Sequence, residues 1–566
     1  MKSILRKMLT ILLCCLLGSV FAQSPPNADP DTDHAHLWRE TRIIGNSRVY
    51  TCEVCRKKQT VSLFTDPGLR GVHLISEYDG HGGAPVALHF SVSADAADLS
   101  VSYQWYVCES PDGSPRRPVP GNTESDFRTD AFPEPEIRFY LCEASVGFSL
   151  DRQPLTAVVL SDVYRVAYTG LPTVYVDTVT GSADQIDRSE YAGASLRLVP
   201  GPNDSFSPLS AGIRIKGRGN FTWTLPKKGY NFRFDKRTDL MGLGKAKKWA
   251  LIANHADKSL LRNWFASLLA SEVLAGKDWS PKYEFVDLIL NQVYAGNYCL
   301  VSPVTISQSR IDIQPVDRIE EDLDGDERLT LADGGYILEM DAREEAPVHF
   351  LTEHKMHLSF YDPELETAPA ETVEWLKNQI QEMETMLYSK TQTGPKGNAA
   401  RYLDLDSFVN GYLVNEITKN TDALFSSVFL YFDPAEQLFH LGPVWDFDLS
   451  CGNADANNEP ENLDIRKAKW IRPLFGHPIF TEMLRTKWLE IREALLSAVQ
   501  NRIPAQAQRI RVSAELNNLC WPVASERYTG CDEDLTDRGT WEGETRFLTD
   551  WLTTRISWMD ERITNP

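Results

Sequence analysis

The chain has 566 residues, with 79 acidic against 58 basic side chains and a net charge of −21. At ~100–200 residues per domain this length sets two to four domains, each able to bury a core. The apolar and charged fractions, 42% and 24%, are those of a globular protein. The acidic balance excludes a sequence-independent grip on nucleic-acid phosphates, so no nucleic-acid partner is expected.

In chain order, Lys2, Arg6 and Lys7 precede an apolar run from Met8 to Leu17, which ends in Val20-Phe21-Ala22. This pattern predicts a signal peptide over 1–22 and export to the periplasm, the cell surface or the medium. Cys14 and Cys15 lie inside the apolar run with no small residue placed for lipid attachment. No later stretch reaches the ~20 apolar residues of a membrane-spanning helix. Residues 23–80 read as a leader, polar and proline-bearing to about residue 40, followed by a segment holding Cys52-x-x-Cys55. That spacing suits zinc, but no second CxxC follows, so the reading favours a local disulfide or free thiols over metal.

From 81 to 168 the runs VALHFSVSA, VSYQWYV and IRFYLCEASV alternate between turn-rich stretches and predict a small all-β sandwich. Trp105 and the Tyr140-x-Cys142 pair are similar to the core tryptophan and tyrosine corner of immunoglobulin-like domains. The first cysteine of that family's disulfide is missing, leaving a Cys108–Cys142 bridge and two thiols as nearly equal alternatives. The module is expected to space or bind. From 172 to 566 strand-like runs (LRLVP, IRIKG, YNFRFD, FVDLIL, GGYILEMD) mix with helical ones, such as DSFVNGYLVNEITK and RFLTDWLTTRISWM. Leu548, Trp551, Leu552, Ile556 and Met559 follow helical spacing. One large α+β domain is the simplest account.

Three stretches carry residues suited to chemistry. In GPVWDFDLSCGN, Asp446 and Asp448 would leave a hairpin strand on one side and could ligate Mg²⁺. In NEITKNTDALFSS, Asp422 follows a helix and precedes the strand leading to Asp446, a layout suited to a phosphoryl-transfer base and metal ligand. In IKGRGNFTWTLPKKGYNF, Gly217, Arg218 and Gly219 form a turn able to approach phosphate, with Lys227 and Lys228 at the next strand. Each alone has an ordinary structural reading: a solvated turn, a helix-terminal cap and a plain hairpin.

Together LPTVYVDT, IKGRGNFTW, PKKGYNFRF, KKWALIANHADKSLLRN, FVDLILNQVYAGNYCL, GGYILEMD, NEITKNTDALFSSVFLYFD and GPVWDFDLSCGN resemble the spore-coat-protein-H (CotH) kinases. The resemblance covers about two-thirds of the chain. It implies an atypical two-lobed protein-kinase-like domain that transfers the γ-phosphoryl of ATP, with Mg²⁺ or Mn²⁺, to Ser or Thr of a secreted or surface protein. Asp422 would be the base, Asp446 the metal aspartate and Asp448 its support. Lys228, and less strongly Lys227, would contact nucleotide phosphate beside the turn of Gly217, Arg218 and Gly219. Arg262 and Asn263 match a family signature, either binding ligand or bracing a lobe.

The chain departs from the family at Ser427, where many members carry Asn as a second metal ligand. Two alternatives therefore stay open: a non-catalytic surface scaffold, and AMP transfer from the same nucleotide site. A separate run, DLDGDERLTLAD, sets Asp322, Asp324, Asp326, Thr330 and Asp333 at calcium-loop positions. Glu327 replaces the usual glycine, which favours an acidic solvated loop over a Ca²⁺ site. The oligomeric state cannot be read.

Overall fold

The computed structural model describes residues 35–68, 71–316, 334–343, 346–363, 370–389, 399–522 and 539–564. The expected signal peptide and the 322–333 acidic run lie outside them.

The N-terminal module is built from two sheets around one core. The first orders the strands Trp38–Ile44, Ser47–Cys52, Lys58–Asp66 and Ser91–Ala94. The second orders His73–Ile75, Tyr164–Tyr168, Glu136–Leu150, Ala97–Cys108 and Arg116–Pro118, with Gln153–Leu160 also paired to the long central strand. Tyr140, Cys142, Ala144, Val146 and Phe148 are buried, the period-2 face of that strand. Trp105 is fully buried and donates its indole N–H to the Glu124 carbonyl at 3.0 Å. Strands before residue 81 complete both sheets, so the segment from Trp38 to Ile75 is part of the module. It reads as leader in sequence because its first strand, WRETRII, is exposed at all but one position and shows no alternation.

The expected Cys108–Cys142 alternative resolves to thiols. Cys142 pairs with Trp105, and Cys108 with Phe139. The offset of three residues, roughly 10 Å of strand, exceeds the ~7 Å that a disulfide spans between Cα atoms. Burial pushes the Cys142 thiol up to about 12.

The next unit is a closed seven-stranded barrel, in the order Thr173–Thr178, Ala192–Val199, Leu209–Arg218, Gly229–Asp239, Lys245–Ile252, Val293–Val301 and Tyr283–Leu290. Closure comes from parallel pairing of the first strand with the last, Thr173 opposite Asp287. Ile215, Phe232, Trp249 and Leu288 fill its interior at 0% exposure. The β module is seated on the barrel: Ala167 packs with Ile289, Tyr294, Val512 and Leu516. Glu77 pairs with Arg197 at 2.6 Å. At the same junction the buried Asp287 accepts hydrogen bonds from Thr169, Tyr294 and Ser513.

Beyond the barrel, a five-stranded sheet runs His349–Leu351, His357–Asp362, Tyr336–Met340, Val428–Asp433 and Leu438–Leu441. It shares a core with the helices Ala370–Leu387, Leu405–Ile417, Pro478–Ser497, Ile503–Cys520 and Trp541–Thr564. Leu548, Trp551, Leu552, Ile556 and Met559 are buried, as their spacing required. The last helix also carries Arg555, fully buried, which pairs with Glu416 at 2.8 Å. Among the described residues no helix is long and apolar enough to cross a membrane. The architecture is mixed α/β, with an all-β module at its start.

Candidate functional site

The chain leaves Leu438–Leu441 and runs irregularly through Gly442–Phe447 before turning at Asp448. Asp446 adopts a left-handed backbone, φ 67°, so the extended alternation expected of Asp446 and Asp448 does not apply. Three side chains hold this segment. Asn263 accepts the Phe447 N–H at 2.8 Å. Arg262 donates to the carbonyls of Ser450, at 2.9 Å, and Cys451, at 3.3 Å. Asn453 donates to the Asp448 carbonyl at 2.7 Å and to that of Ala256 at 3.1 Å. Arg262 is itself fully buried and neutralised by Asp257 at 2.5 Å. In this structure Arg262 and Asn263 therefore brace the two aspartates.

The helix Leu405–Ile417 is capped by Asp404, whose carboxylate accepts the Ser407 N–H at 2.8 Å. Past its C-terminus, Asp422 lies in a short 3₁₀ turn, and its carbonyl accepts the N–H groups of Phe425 and Ser426. Burial first, then the charges of Asp446 and Asp341, push the Asp422 carboxyl up to about 6, with Arg343 opposing. Asp448 is raised well above the usual carboxylate range by burial, then by Asp446, Asp257 and Asp422, with Arg218 opposing. Glu339 is pushed up to about 7 by burial, Asp341 and Asp446. Asp422 and Asp448 thus both feel the charge of Asp446, with Arg343 opposing at Asp422 and Arg218 at Asp448. Arg218 also stands over the Trp445 ring at 5.3 Å.

A polar chain links the strand ends. Arg343 donates to Ser426 Oγ at 2.6 Å and lies 3.5 Å from Asp341. Ser427 Oγ donates to Asp446 Oδ2 at 3.3 Å from a left-handed backbone, φ 57°. Asn adopts that conformation more readily than Ser.

The glycine turn and the lysines have other surroundings. A Cβ on Gly217 would meet the Trp223 ring at 2.4 Å, and one on Gly219 (φ 92°) would meet Thr222 Oγ1 at 1.9 Å. Packing of the turn on itself therefore demands both glycines. Lys227 is buried, donating to the carbonyls of Ala253, at 2.8 Å, and Asn297. Burial lowers its pKa to about 7. Lys228 donates to the Trp223 carbonyl at 2.5 Å and lines a cavity of about 400 Å³ with Asp184, Tyr230 and Tyr298.

The carboxylates suit a divalent cation electrostatically, since the charge of Asp446 raises the proton affinity of Asp422 and Asp448 and a cation would relieve the same repulsion. They do not close into a set of three with ligand atoms within 4.8 Å; among the described residues such sets occur around His440 and at His36, Cys52 and Cys55. An open arrangement fits Mg²⁺, which takes one or two carboxylates together with substrate phosphates. Sequence reasoning did not single out Asp257, Glu339, Asp341 or Arg343. Asp341 offered a signal, an acid closing the strand run GGYILEM, while Glu339 and Arg343 look like ordinary surface charges in sequence.

A search of curated proteins finds no match. A family model described as "CotH: CotH kinase protein" matches residues 213–559, more than half of the chain. It begins inside the third barrel strand, and its match contains Gly217, Arg218, Asp257, Arg262, Asp422, Asp446 and Asp448. The protein belongs to the CotH kinase family.

Proposed function

We propose that the protein is an exported atypical kinase that transfers the γ-phosphoryl group of ATP to Ser or Thr of a secreted or surface protein. The observation that carries this reading is that Asp422 and Asp448 both lie within electrostatic reach of Asp446, with Arg218 opposing their charge at Asp448. Asp422 would accept the proton of the substrate hydroxyl, and its raised pKa suits a base working near neutral pH. Asp446, aided by Asp448, would hold Mg²⁺ or Mn²⁺; such an ion neutralises charge on the transferring phosphate. Arg218 is the cation placed to face a phosphate, and the turn of Gly217 and Gly219 fixes its strand. Lys228 would join it only by leaving the Trp223 carbonyl, and Lys227, buried against the carbonyls of Ala253 and Asn297, would not reach a phosphate. The immunoglobulin-like module, seated on the barrel, would contribute to substrate docking.

The test is mass spectrometry of the purified chain and serine-rich proteins incubated with Mg²⁺ or Mn²⁺ and ATP. Gain of a phosphoryl group supports the reading, gain of an adenylyl group replaces it with AMP transfer, and no modification under any divalent ion favours the scaffold alternative.

Two further outcomes follow from the site. Transfer should fall as pH drops, because protonated Asp422 cannot accept a proton. The acidic limb lies at or below about pH 6, since a cation at Asp446 offsets part of the charge that raises Asp422. A rate–pH profile on saturating ATP checks this, and a flat profile from pH 4 to 8 would exclude Asp422 as the titrating base. Ser427→Asn should raise Mg²⁺ affinity, because an amide carbonyl is a better ligand than a hydroxyl and Asn is easier at φ 57°. Metal titration of the activity reads this, and unchanged metal dependence would remove Ser427 from the ion's surroundings.

A further inference from the structure

We infer that His36, Cys52 and Cys55 form a zinc site in the N-terminal β module. Cys52 ends the strand Ser47–Cys52, and the chain turns through Glu53–Lys57 before Lys58–Asp66 begins. Within that turn the Arg56 N–H bonds the Cys52 carbonyl at 3.0 Å and the Cys52 N–H bonds that of Lys57 at 2.9 Å. Arg56 takes a left-handed backbone, φ 65°. This tight turn brings the two sulfurs of the CxxC to one place. The third donor arrives through strand pairing. Trp38 stands opposite Cys52 in the ladder, so the residues just before Trp38 run past the turn. The Glu53 N–H to Leu37 carbonyl bond, 3.0 Å, fixes that approach.

The ligand atoms of His36, Cys52 and Cys55 all lie within 4.8 Å of one another. His36 Nδ1 is 3.4 Å from Cys55 Sγ. Nitrogen and sulfur on a tetrahedral zinc, at ~2.05 and ~2.3 Å from the ion, stand roughly 3.6 Å apart. The other face of the imidazole supports the same reading. Its Nε2 is 4.0 Å from Asp151 Oδ2, which also accepts the Trp38 indole N–H at 3.1 Å. At that ion-pair distance the carboxylate charge favours the imidazole as a donor to a cation.

Two thiolates and one imidazole select zinc over Mg²⁺ or Ca²⁺, which require oxygen. Among the described residues no further His, Cys or carboxylate joins the three, leaving one tetrahedral position for water or an exchangeable donor. Binding displaces thiol protons and ties the first hairpin to Asp151, in the turn between Glu136–Leu150 and Gln153–Leu160.

Co²⁺ replaces Zn²⁺ as a spectroscopic probe. The purified full-length chain, reduced and given an equivalent of Co²⁺, should show thiolate-to-cobalt charge transfer and intense tetrahedral visible bands. Added Zn²⁺ should bleach both. Cys55→Ser should abolish the charge-transfer band or reduce it at least about twofold, as one of two thiolates is lost, and His36→Ala should weaken binding at least tenfold, the scale of losing a ligand's support. Metal at the aspartate site contributes no thiolate band, so failure of the kinase reading leaves this result intact. Absence of the band in the wild type, which needs no variant to fold, overturns the proposal. So does an undiminished band in Cys55→Ser, or a Cys52–Cys55 disulfide with no zinc in protein purified without reductant.

Discussion

Asp446→Asn is expected to abolish metal-dependent ATP binding and turnover together, whereas Asp422→Asn should spare binding and lose only rate. The two carboxylates sit in one electrostatic cluster, but their tasks would differ. Neutralising Asp446 would remove charge from the proposed holder of the cation and also disturb the residue to which Ser427 donates. Neutralising Asp422 would leave Asp446, Asp448 and Arg218 in place and remove the proposed proton acceptor, a contribution typically of ~10²–10⁴-fold in rate. Calorimetry with Mg²⁺-ATP measures binding, and phosphate incorporation measures rate. Asp448→Asn is the internal comparison: its carboxyl is already raised well above the usual range, so losing its charge should cost less than losing that of Asp446. Wild-type transfer by Asp422→Asn would refute the assignment of the base. Unchanged Mg²⁺-ATP affinity in Asp446→Asn would refute that of the metal ligand.

Arg262→Met should produce the largest loss of stability among single changes near the site. It strands the Asp257 carboxylate, fully buried, with no cation and removes the donors to Ser450 and Cys451. Breaking a buried pair from one side costs about 3–5 kcal/mol, a large share of the ~5–15 kcal/mol that folds a domain. The urea midpoint of the barrel and helical units reads this loss. Replacing both partners, Arg262→Met with Asp257→Leu, should recover part of the stability because no lone charge stays buried. ATP affinity should not recover with it, since the segment carrying Asp446 and Asp448 would still lack its anchors. A stability change below about 1 kcal/mol in the single variant would mean that the pair is solvated and cheap, against its burial.

The sequence alone established the kind and order of many elements, though not the strands before residue 81. Helical spacing placed Leu548, Trp551 and Ile556 on a buried face, alternation revealed the strands of the β module, and the run of matching motifs identified the CotH family. Such features are legible because periodicity and short motifs are local properties of a chain. Tertiary structure decided what local pattern cannot encode. Asp446 has a left-handed backbone because Asn263, Ser427 and the Arg262–Asp257 pair, all distant in sequence, hold its surroundings. Arg218 stands over Trp445, next to Asp446, while Lys227 turns into the buried carbonyls of Ala253 and Asn297, a difference invisible in the string PKKGYNF. Cys52 and Cys55 lacked a partner in sequence because the third donor, His36, reaches them only when Trp38 pairs opposite Cys52. In each case the deciding contacts join residues far apart along the chain, and side-chain chemistry depends on the neighbours that folding supplies rather than on those that sequence places beside it.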